Sequence, residues 1–357
     1  MKKIAKTILW GLLAAAWLSG ANAWAQTNPL EQGAMSVKKL DDGLYYMEYK
    51  GDDGFAGLME NGGGRSAAEL SAYVTRFFSK GFNQPKSGTP GPMDYGCSAL
   101  TVHTPEGGVL MGRNFDFNSV TGIVLHTIPE RGYETYTTFN TNFFGFGEGW
   151  VPEGLKNQYM ALAVLFFALD GINEKGLAVA DLMAGDKTQT NQESGKPALT
   201  TTSAICYLLK NAATVEEALD LLREIDMHSD IGAAHHYAIS DATGRSVVVE
   251  YVDNRMEVVE SAVVANHYLC EAKLNVGLME GDRRYEFLCS QIKASGGVMD
   301  KQQLTQTIAS VSLPPSEGRH MGTAWTLVMD LTHPSVTYYS RRHFYKPFHF
   351  EFERKRE

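Results

Sequence analysis

The sequence reads GCSALTV at residues 96–102 and GRNFD at residues 112–116, and the turn-like residues 104–108 between them predict a hairpin of two strands. Arg113 follows Cys97 by 16 residues and Asp116 follows it by 19. If the peptide bond before Cys97 is cut, one residue carries a thiol nucleophile and a free α-amine that moves protons. The reference pKa values of these groups, about 8.5 and about 8, are close enough to neutrality to be tuned. On spacing alone, a salt bridge at the hairpin end is the favoured interpretation of Arg113 and Asp116.

Further blocks follow in a fixed order: NEKGLAVA at 173–180, DATGRSVVVE at 241–250, Asn266, and Arg284-Tyr285. Together with the Cys97 region, they resemble the choloylglycine hydrolase family, which includes bile salt hydrolases and penicillin V acylases. N-acylethanolamine acid amidase and isopenicillin N acyltransferase are more distant relatives. The resemblance implies an α+β fold, the four-layer αββα sandwich of the N-terminal-nucleophile hydrolase type. It also implies an enzyme that hydrolyses linear carbon–nitrogen amide bonds of a small-molecule N-acyl substrate.

The resemblance assigns a role to five residues. Cys97 attacks the carbonyl and forms a thioester, Arg113 favours the thiolate, and Asp116 accepts hydrogen bonds from the α-amine. Asn266 donates its side-chain amide to the oxyanion, and Arg284 supports the site. Without the resemblance, Asn266 reads as a turn residue and Arg284 as a surface residue at a helix end.

The chain departs from the bile salt hydrolase pattern just after the 173–180 block. Those enzymes continue with Gly-Leu-Asn, whereas this chain has Asp181-Leu182-Met183. The second oxyanion donor would fall at Met183, which has no side-chain N–H. Bile salt specificity therefore does not carry over. The aromatic, Gly-rich stretch 142–150 is predicted either to line an apolar acyl pocket or to pack within its own loop.

Length, charge and the N-terminus suggest how the chain is organised. It has 357 residues, 44% of them hydrophobic, and a net charge of −9, which supports a large core and disfavours a nucleic-acid partner. Residues 1–25 resemble a signal peptide, because lysines precede an apolar run at 8–18 that is too short to cross a bilayer. We therefore expect a periplasmic or secreted protein without a stable membrane anchor. A Pro/Gly/Ser-rich connector at 83–92 predicts that 26–96 is a prosegment and 97–357 the hydrolase domain.

Periodicity predicts a mixture of strands and helices without βαβ repeats, as expected for an α+β chain. The predicted helices are 66–78, 200–211, 215–224 and 284–295, with Thr214 as a cap of the third. The predicted strands include 98–103, 109–114, 160–168, 177–181, 236–240 and 246–251.

The four cysteines do not have the spacing of a zinc site, and the glycines do not form a dinucleotide fingerprint, so we expect no metal or organic cofactor. Cys206 lies in an apolar helical run and is predicted to be a buried thiol. A disulfide between Cys270 and Cys289 is left open, and a homo-oligomer is compatible with the sequence.

Two other functions fit part of the pattern. A papain-like hydrolase would use Cys97, His235 and Asn266, although the local signature of a papain-type cysteine is missing. A non-catalytic exported binding protein would keep the fold while the bond before Cys97 stays intact.

Overall fold

The structure is a computed structural model that describes residues 28–78, 96–117, 120–146, 149–230, 232–315 and 322–353. The predicted signal peptide and the predicted connector lie outside these residues. The helices are α1 Pro29–Met35, α2 Phe55–Glu60, α3 Ala67–Phe78, α4 Leu155–Ala161, α5 Thr201–Asn211, α6 Val215–Arg223, α7 Arg284–Ser295 and α8 Lys301–Ser310, with 3-10 turns at Thr141–Phe144, Leu162–Phe166 and Glu271–Lys273. The strands are β1 Lys38–Asp41, β2 Leu44–Gly51, β3 Gly96–His103, β4 Val109–Phe117, β5 Gly122–Pro129, β6 Thr135–Asn140, β7 Asp170–Asn173, β8 Ala178–Met183, β9 Ala198–Thr200, β10 Asp226–His228, β11 His235–Ser240, β12 Ser246–Val252, β13 Arg255–Glu260, β14 Val263–Val264, β15 Gly322–Asp330, β16 Ser335–Ser340 and β17 Pro347–Glu351.

Two large sheets carry most of the strands. One has nine strands in the order β1-β2-β5-β6-β7-β8-β11-β12-β13, and the other has six in the order β14-β3-β4-β15-β16-β17. Neighbouring strands of both sheets run antiparallel except β2 and β5, which are parallel. Strands β9 and β10 form a separate parallel pair.

The sheets stack face to face, with helices on both outer sides. Hydroxyl pairs join the sheets directly: Thr101 with Ser240, and Thr138 with Tyr338, each at 2.8 Å. Helices α7 and α8 cover the outer face of the six-stranded sheet, and α5 packs on β6, β7 and β8 of the nine-stranded sheet. The predicted four-layer αββα sandwich is therefore confirmed.

The hairpin of β3 and β4 places its residues on two different faces. Side chains alternate along a strand, so directly paired residues share a face. Cys97 pairs with Phe115, and both belong to the core between the sheets. Gly96 pairs with Asp116 on the opposite face, where the neighbouring Asn114 donates to the Ile308 carbonyl of α8. The predicted cleavage point thus lies at the start of a strand, between the inter-sheet core and a helix layer.

Most predicted elements are present, but the strand predicted at 160–168 is wrong. That run contains the end of α4 and the 3-10 turn at Leu162–Phe166, with every residue of the turn buried. A short continuous apolar run does not distinguish a buried helical segment from a buried strand. The α5 and α6 helices begin after Thr200 and Thr214, whose side chains cap them as polar N-caps do.

The segment before the hairpin belongs to the same structure. Strands β1 and β2 form one edge of the nine-stranded sheet, and residues of α2 and α3 join the main core. The prosegment boundary at residues 26–96 stays a prediction, and the described part of that segment is packed against the rest of the chain.

Candidate active site

Cys97 lies buried near the start of β3, on the face between the two sheets. Its backbone N–H donates to Oδ1 of Asn266 at 2.5 Å. Burial raises the pKa of its thiol to about 11, although Arg113 opposes this rise. In the uncut chain the thiol is therefore protonated at neutral pH, and the nitrogen that cleavage would free already has a hydrogen-bond acceptor.

Asp116 lies across the ladder from Gly96 and is completely buried. Its carboxylate accepts from Nη1 of Arg284 at 3.0 Å and from the Thr323 hydroxyl. Burial raises the pKa of Asp116 to about 6, and Arg284 opposes that rise. The predicted alternative, a hairpin-end salt bridge between Asp116 and Arg113, is not formed, because Asp116 pairs with Arg284 instead.

Gly96 is required here because there is no room for a side chain. A Cβ at this position would lie 2.8 Å from Oδ2 of Asp116 and 2.9 Å from Nη1 of Arg284. Its φ is not positive, so a left-handed backbone is not the reason. The absence of a side chain lets the ion pair lie against the backbone of the predicted scissile bond.

Arg284, the first residue of α7, connects the predicted site residues. Besides Asp116, its guanidinium donates to Oδ1 of Asn266 at 3.1 Å and to the Cys97 carbonyl at 3.2 Å. Asp282 fixes the guanidinium through both carboxylate oxygens, at 2.6 and 3.0 Å. A planar guanidinium with five donors satisfies several acceptors at once, which the single ammonium of a lysine does not. Asp282 was not among the residues predicted from the sequence.

Asn266 accepts two hydrogen bonds through Oδ1, and these fix the orientation of its amide. Its Nδ2 donates to the Met183 carbonyl at 2.7 Å, which leaves one amide hydrogen for another acceptor. The next backbone donor along the chain, the Ala184 N–H, is bonded to the Ala234 carbonyl. Thus Met183, at the position of the expected second oxyanion donor, presents a carbonyl to Asn266.

Arg113 is held by a carboxylate that was not among the residues predicted from the sequence. Its Nε lies 2.9 Å from Oδ2 of Asp170, and neither side chain is exposed. Asp170 also accepts from the Trp325 indole at 2.9 Å, and Nη2 of Arg113 donates to the Asp181 carbonyl. The available signal was an acidic residue directly after the apolar run 161–169, because a buried carboxylate requires a partner.

His235 is committed to partners other than Cys97. Its Nδ1 lies 3.0 Å from both carboxylate oxygens of Asp181, and its Nε2 lies 2.9 Å from the Asp230 carbonyl. Burial acts to lower the pKa of His235, but Asp181 outweighs it and raises the pKa to about 9. A doubly bonded imidazolium has no free nitrogen with which to accept a thiol proton. The papain-like arrangement is therefore not assembled.

Aromatic rings extend from the neighbourhood of Cys97 toward the stretch predicted to line an acyl pocket. Phe115, opposite Cys97, stacks with Phe117 at 5.8 Å between ring centroids, and Phe117 meets Phe143 edge to face at 5.1 Å. Phe144, Phe146 and Trp150 continue the contacts within the stretch itself. The predicted packing within the stretch is thus present, and its role in lining an acyl pocket stays a prediction.

The remaining cysteines do not form a disulfide. All four thiols are free, and Cys206 is buried in α5 as predicted. The bridge between Cys270 and Cys289 is absent because the two residues belong to different hydrophobic clusters.

Two features are absent from the parts of the chain that the structure describes. In those parts, no group of three or more His, Cys, Asp or Glu side chains is arranged to hold a metal ion. None of the described helices has the length and apolar composition needed to cross a bilayer.

Comparisons with known proteins agree with this geometry. The family described as linear amide C-N hydrolases, choloylglycine hydrolase family, matches residues 97–315, so the match begins at Cys97. A bile salt hydrolase/transferase of Clostridium perfringens is 27% identical over 180 residues, which are 47% of this chain and 51% of that protein. A penicillin V acylase of Pectobacterium atrosepticum is 33% identical over 97 residues, 24% of this chain and 26% of that protein. The aligned part thus spans about half of the first relative and about a quarter of the second.

A solved structure supports the fold. A mutant of the conjugated bile acid hydrolase from Clostridium perfringens superimposes with a TM-score of 0.51 and 18% identity, covering 73% of this chain and 93% of that one. The fold is that of the N-terminal-nucleophile hydrolases, and the family match covers well over half of the sequence. The chain belongs to the choloylglycine hydrolase family of linear amide C–N hydrolases.

Proposed function

We propose that the chain is cut between Gly96 and Cys97 and that the freed Cys97 hydrolyses a linear amide of an N-acyl substrate. One observation carries the proposal: Asn266 and Arg284 bond the N–H and the carbonyl of Cys97, and Asp116 pairs with Arg284 beside Gly96. Three buried polar side chains grouped at the start of a strand are typical of a functional site. All three are placed to hold a reactive N-terminus at Cys97.

The cut itself would proceed by attack of the Cys97 thiol on the Gly96 carbonyl carbon. The C–N bond breaks, the acyl group passes from nitrogen to sulfur, and the nitrogen takes up the thiol proton. Water then cleaves the resulting thioester, which leaves a carboxylate on Gly96 and a free thiol and α-amine on Cys97. Arg284 would stabilise negative charge in this step, because its guanidinium lies beside residues 96 and 97.

Turnover would repeat the same chemistry on a substrate amide. The α-amine of Cys97 takes the thiol proton as sulfur attacks, and gives it to the departing amine. Water hydrolyses the thioester and releases the acid. Asn266 would hold the α-amine through Oδ1 and would have one Nδ2 hydrogen left for the oxyanion. Arg113 would favour the thiolate through its charge.

The names of the relatives and the aromatic contacts near Cys97 support a proposal for the substrate class. Their names point to bile salts and penicillin V, and the ring contacts from Phe115 to Phe143 favour an apolar acyl group. Fatty acyl amides and small peptide-like acids belong in the same test. The N-terminal sequence favours a periplasmic or secreted location, which cell fractionation would test.

Intact-mass measurement and N-terminal sequencing of the purified protein test the proposal first. We expect a chain that begins at Cys97, and we expect Cys97→Ala to prevent its appearance. Cys289→Ala is the matched control, because this half-buried thiol lies outside the site and should leave cleavage unchanged. Release of amine from a panel of N-acyl compounds then identifies the substrate.

Two outcomes would favour the other functions. An uncut chain without turnover would support the non-catalytic binding protein. An uncut chain that is active, and that His235→Ala inactivates, would support the papain-like enzyme. Either result would overturn the proposal.

A further inference from the structure

The segment before the predicted cut supplies an internal strand to a sheet of the hydrolase domain. Strand β2, residues Leu44–Gly51, pairs in parallel with β5 along its whole length, from Leu44 opposite Gly122 to Gly51 opposite Pro129. If β2 left, the backbone donors and acceptors on one edge of β5 would lose their partners. The N-terminal segment is therefore part of the sheet and not a cover laid over it.

Burial on this segment is as complete as in the centre of the protein. Tyr45, Met47 and Tyr49 on β2 are at most 2% exposed. Four more side chains are at most 4% exposed: Phe55, Leu58, Leu70 and Val74. Burial of seven such side chains removes a large apolar area from water, and this is the main driving force of stable protein association.

A buried ion pair crosses the same boundary. Nζ of Lys210, on α5, lies 2.7 Å from Oδ2 of Asp53, and both side chains are less than 10% exposed. The Lys210 ammonium also lies 4.7 Å from the centre of the Phe55 ring. Removal of the segment would take away the carboxylate and the ring, and would leave the buried Lys210 ammonium with the Leu165 carbonyl at 3.4 Å but without a counter-charge.

The glycines at 62–64 add backbone hydrogen bonds between the N-terminal segment and β9. The Gly64 N–H donates to the Ala198 carbonyl at 2.7 Å, and the Ala198 N–H donates to Gly62 at 2.9 Å. Gly63 has a φ of +78°, and a Cβ there would lie 1.9 Å from the Ala198 carbonyl oxygen. Only glycine allows this close approach, which attaches the segment to β9.

The segment also reaches the support of the active site. A Cβ on Gly122 would touch Leu44 of the segment at 3.2 Å and Trp325 at 3.3 Å, so these two side chains flank the same point of β5. Trp325 in turn donates to Asp170, which holds Arg113. Loss of the segment would expose this indole and loosen the arginine that acts on the nucleophile.

We infer that the N-terminal chain stays bound after the cut, so that the processed protein consists of two chains, one ending at Gly96 and one beginning at Cys97. This inference rests on the proposed cleavage. The chain that begins at Cys97 then keeps the N-terminal segment as its partner. Strand pairing, a buried core and one buried ion pair hold the two together. The long chain alone is neither stably folded nor active.

Size-exclusion chromatography of the processed protein in 1 M NaCl, with mass analysis of the peak under denaturing conditions, tests the inference. We expect both chains in equal amounts, separating only in denaturant. A folded, active chain of residues 97–357 alone would overturn it.

A second arm does not depend on self-cleavage. Cys97→Ala carries a specific protease site inserted between Lys86 and Ser87, and the protease then supplies the cut. Co-elution of the two fragments is expected whether or not the natural cut occurs, and separation into independent fragments refutes retention. Failure of the proposed function appears instead as an unbroken Gly96–Cys97 bond in the wild type.

Variants of neighbouring carboxylates test the ion pair. Asp53→Asn leaves the Lys210 charge buried without a carboxylate, and we expect release of the short chain in urea to be about 100-fold faster. Asp52→Asn is the matched control, because Asp52 is exposed. This variant should release the short chain at the wild-type rate. If Asp53→Asn fails to fold, adding Lys210→Gln removes the orphaned charge and should restore both folding and association. Equal release from the two single variants, or no recovery in the double variant, contradicts the role of the pair.

Discussion

Substitution of Gly96 by alanine would test why glycine precedes the nucleophile. The new Cβ would lie 2.8 Å from Oδ2 of Asp116 and 2.9 Å from Nη1 of Arg284, closer than carbon normally approaches these atoms. Neither neighbour can yield easily, because Thr323 holds Asp116 and Asp282 holds Arg284. The strain therefore falls on the ion pair or on the backbone of the scissile bond.

The size of the effect follows from the cost of overpacking. Inserting one methyl group into a closely packed site costs about 1–3 kcal/mol. If that strain displaces Arg284 or the Gly96 carbonyl in the transition state of the cut, each 1.36 kcal/mol slows cleavage about tenfold. We expect Gly96→Ala to mature about 10- to 100-fold more slowly than the wild type.

A time course of maturation, followed by gel electrophoresis and intact mass, measures this rate. Gly108→Ala is the control, because it adds the same methyl group in the same hairpin, where the nearest atoms are threonine side-chain ends at 3.2 and 3.3 Å. Cleavage of Gly96→Ala at the wild-type rate would refute the argument from space.

Three further predictions concern stability and redox state. Asp170→Asn should lower the free energy of unfolding by about 3–5 kcal/mol in urea titrations, because Arg113 keeps a buried charge without its carboxylate. The surface change Asp220→Asn should lower it by at most about 1 kcal/mol, and equal losses in the two variants would contradict the prediction. The pKa of His235 is about 9 in the folded protein and about 6.5 in the unfolded chain, so its contribution to the free energy of unfolding is complete below pH 6.5 and is lost as pH rises through 9. That contribution is about 3 kcal/mol. His235→Gln should flatten the fall in stability across this pH range, and parallel pH curves for the two proteins would speak against the prediction. All four cysteines are free, so denatured, unreduced protein should titrate with four equivalents of a thiol reagent, and a count of two would show a disulfide.

The parts of the site that could be predicted are those carried by short-range spacing. Cys97, Arg113 and Asp116 belong to one hairpin, and pairing of β3 with β4 places them together without any distant contact. Asn266 and Arg284 were predicted through resemblance, and the structure brings both to Cys97. The capped helices were predictable for the same local reason, since the threonine and the turn it caps are adjacent in sequence.

The rest depends on contacts between distant segments, which periodicity does not report. Thr323 bonds Asp116 across 207 positions, and Trp325 bonds Asp170 across 155. The parallel pairing of β2 with β5 joins strands on either side of the predicted cut, and an apolar run such as 44–49 fits many partner strands equally well. A buried acid such as Asp170 indicates that a cation is near but not which one.

The site also explains how cleavage of the Gly96–Cys97 bond could both free the N-terminus of Cys97 and activate its thiol. Before the cut, burial raises the pKa of the Cys97 thiol to about 11, and the nitrogen beside it is a neutral amide. After the proposed cut, that nitrogen would be an amine with a reference pKa of about 7.7–8, able to take the thiol proton and to favour the thiolate by charge. In this proposal the first reaction happens once per chain and tolerates a poorly ionised thiol, whereas turnover must repeat. The proposal therefore predicts that an uncut chain is nearly inert toward external amides and that catalytic activity arises together with the free N-terminus.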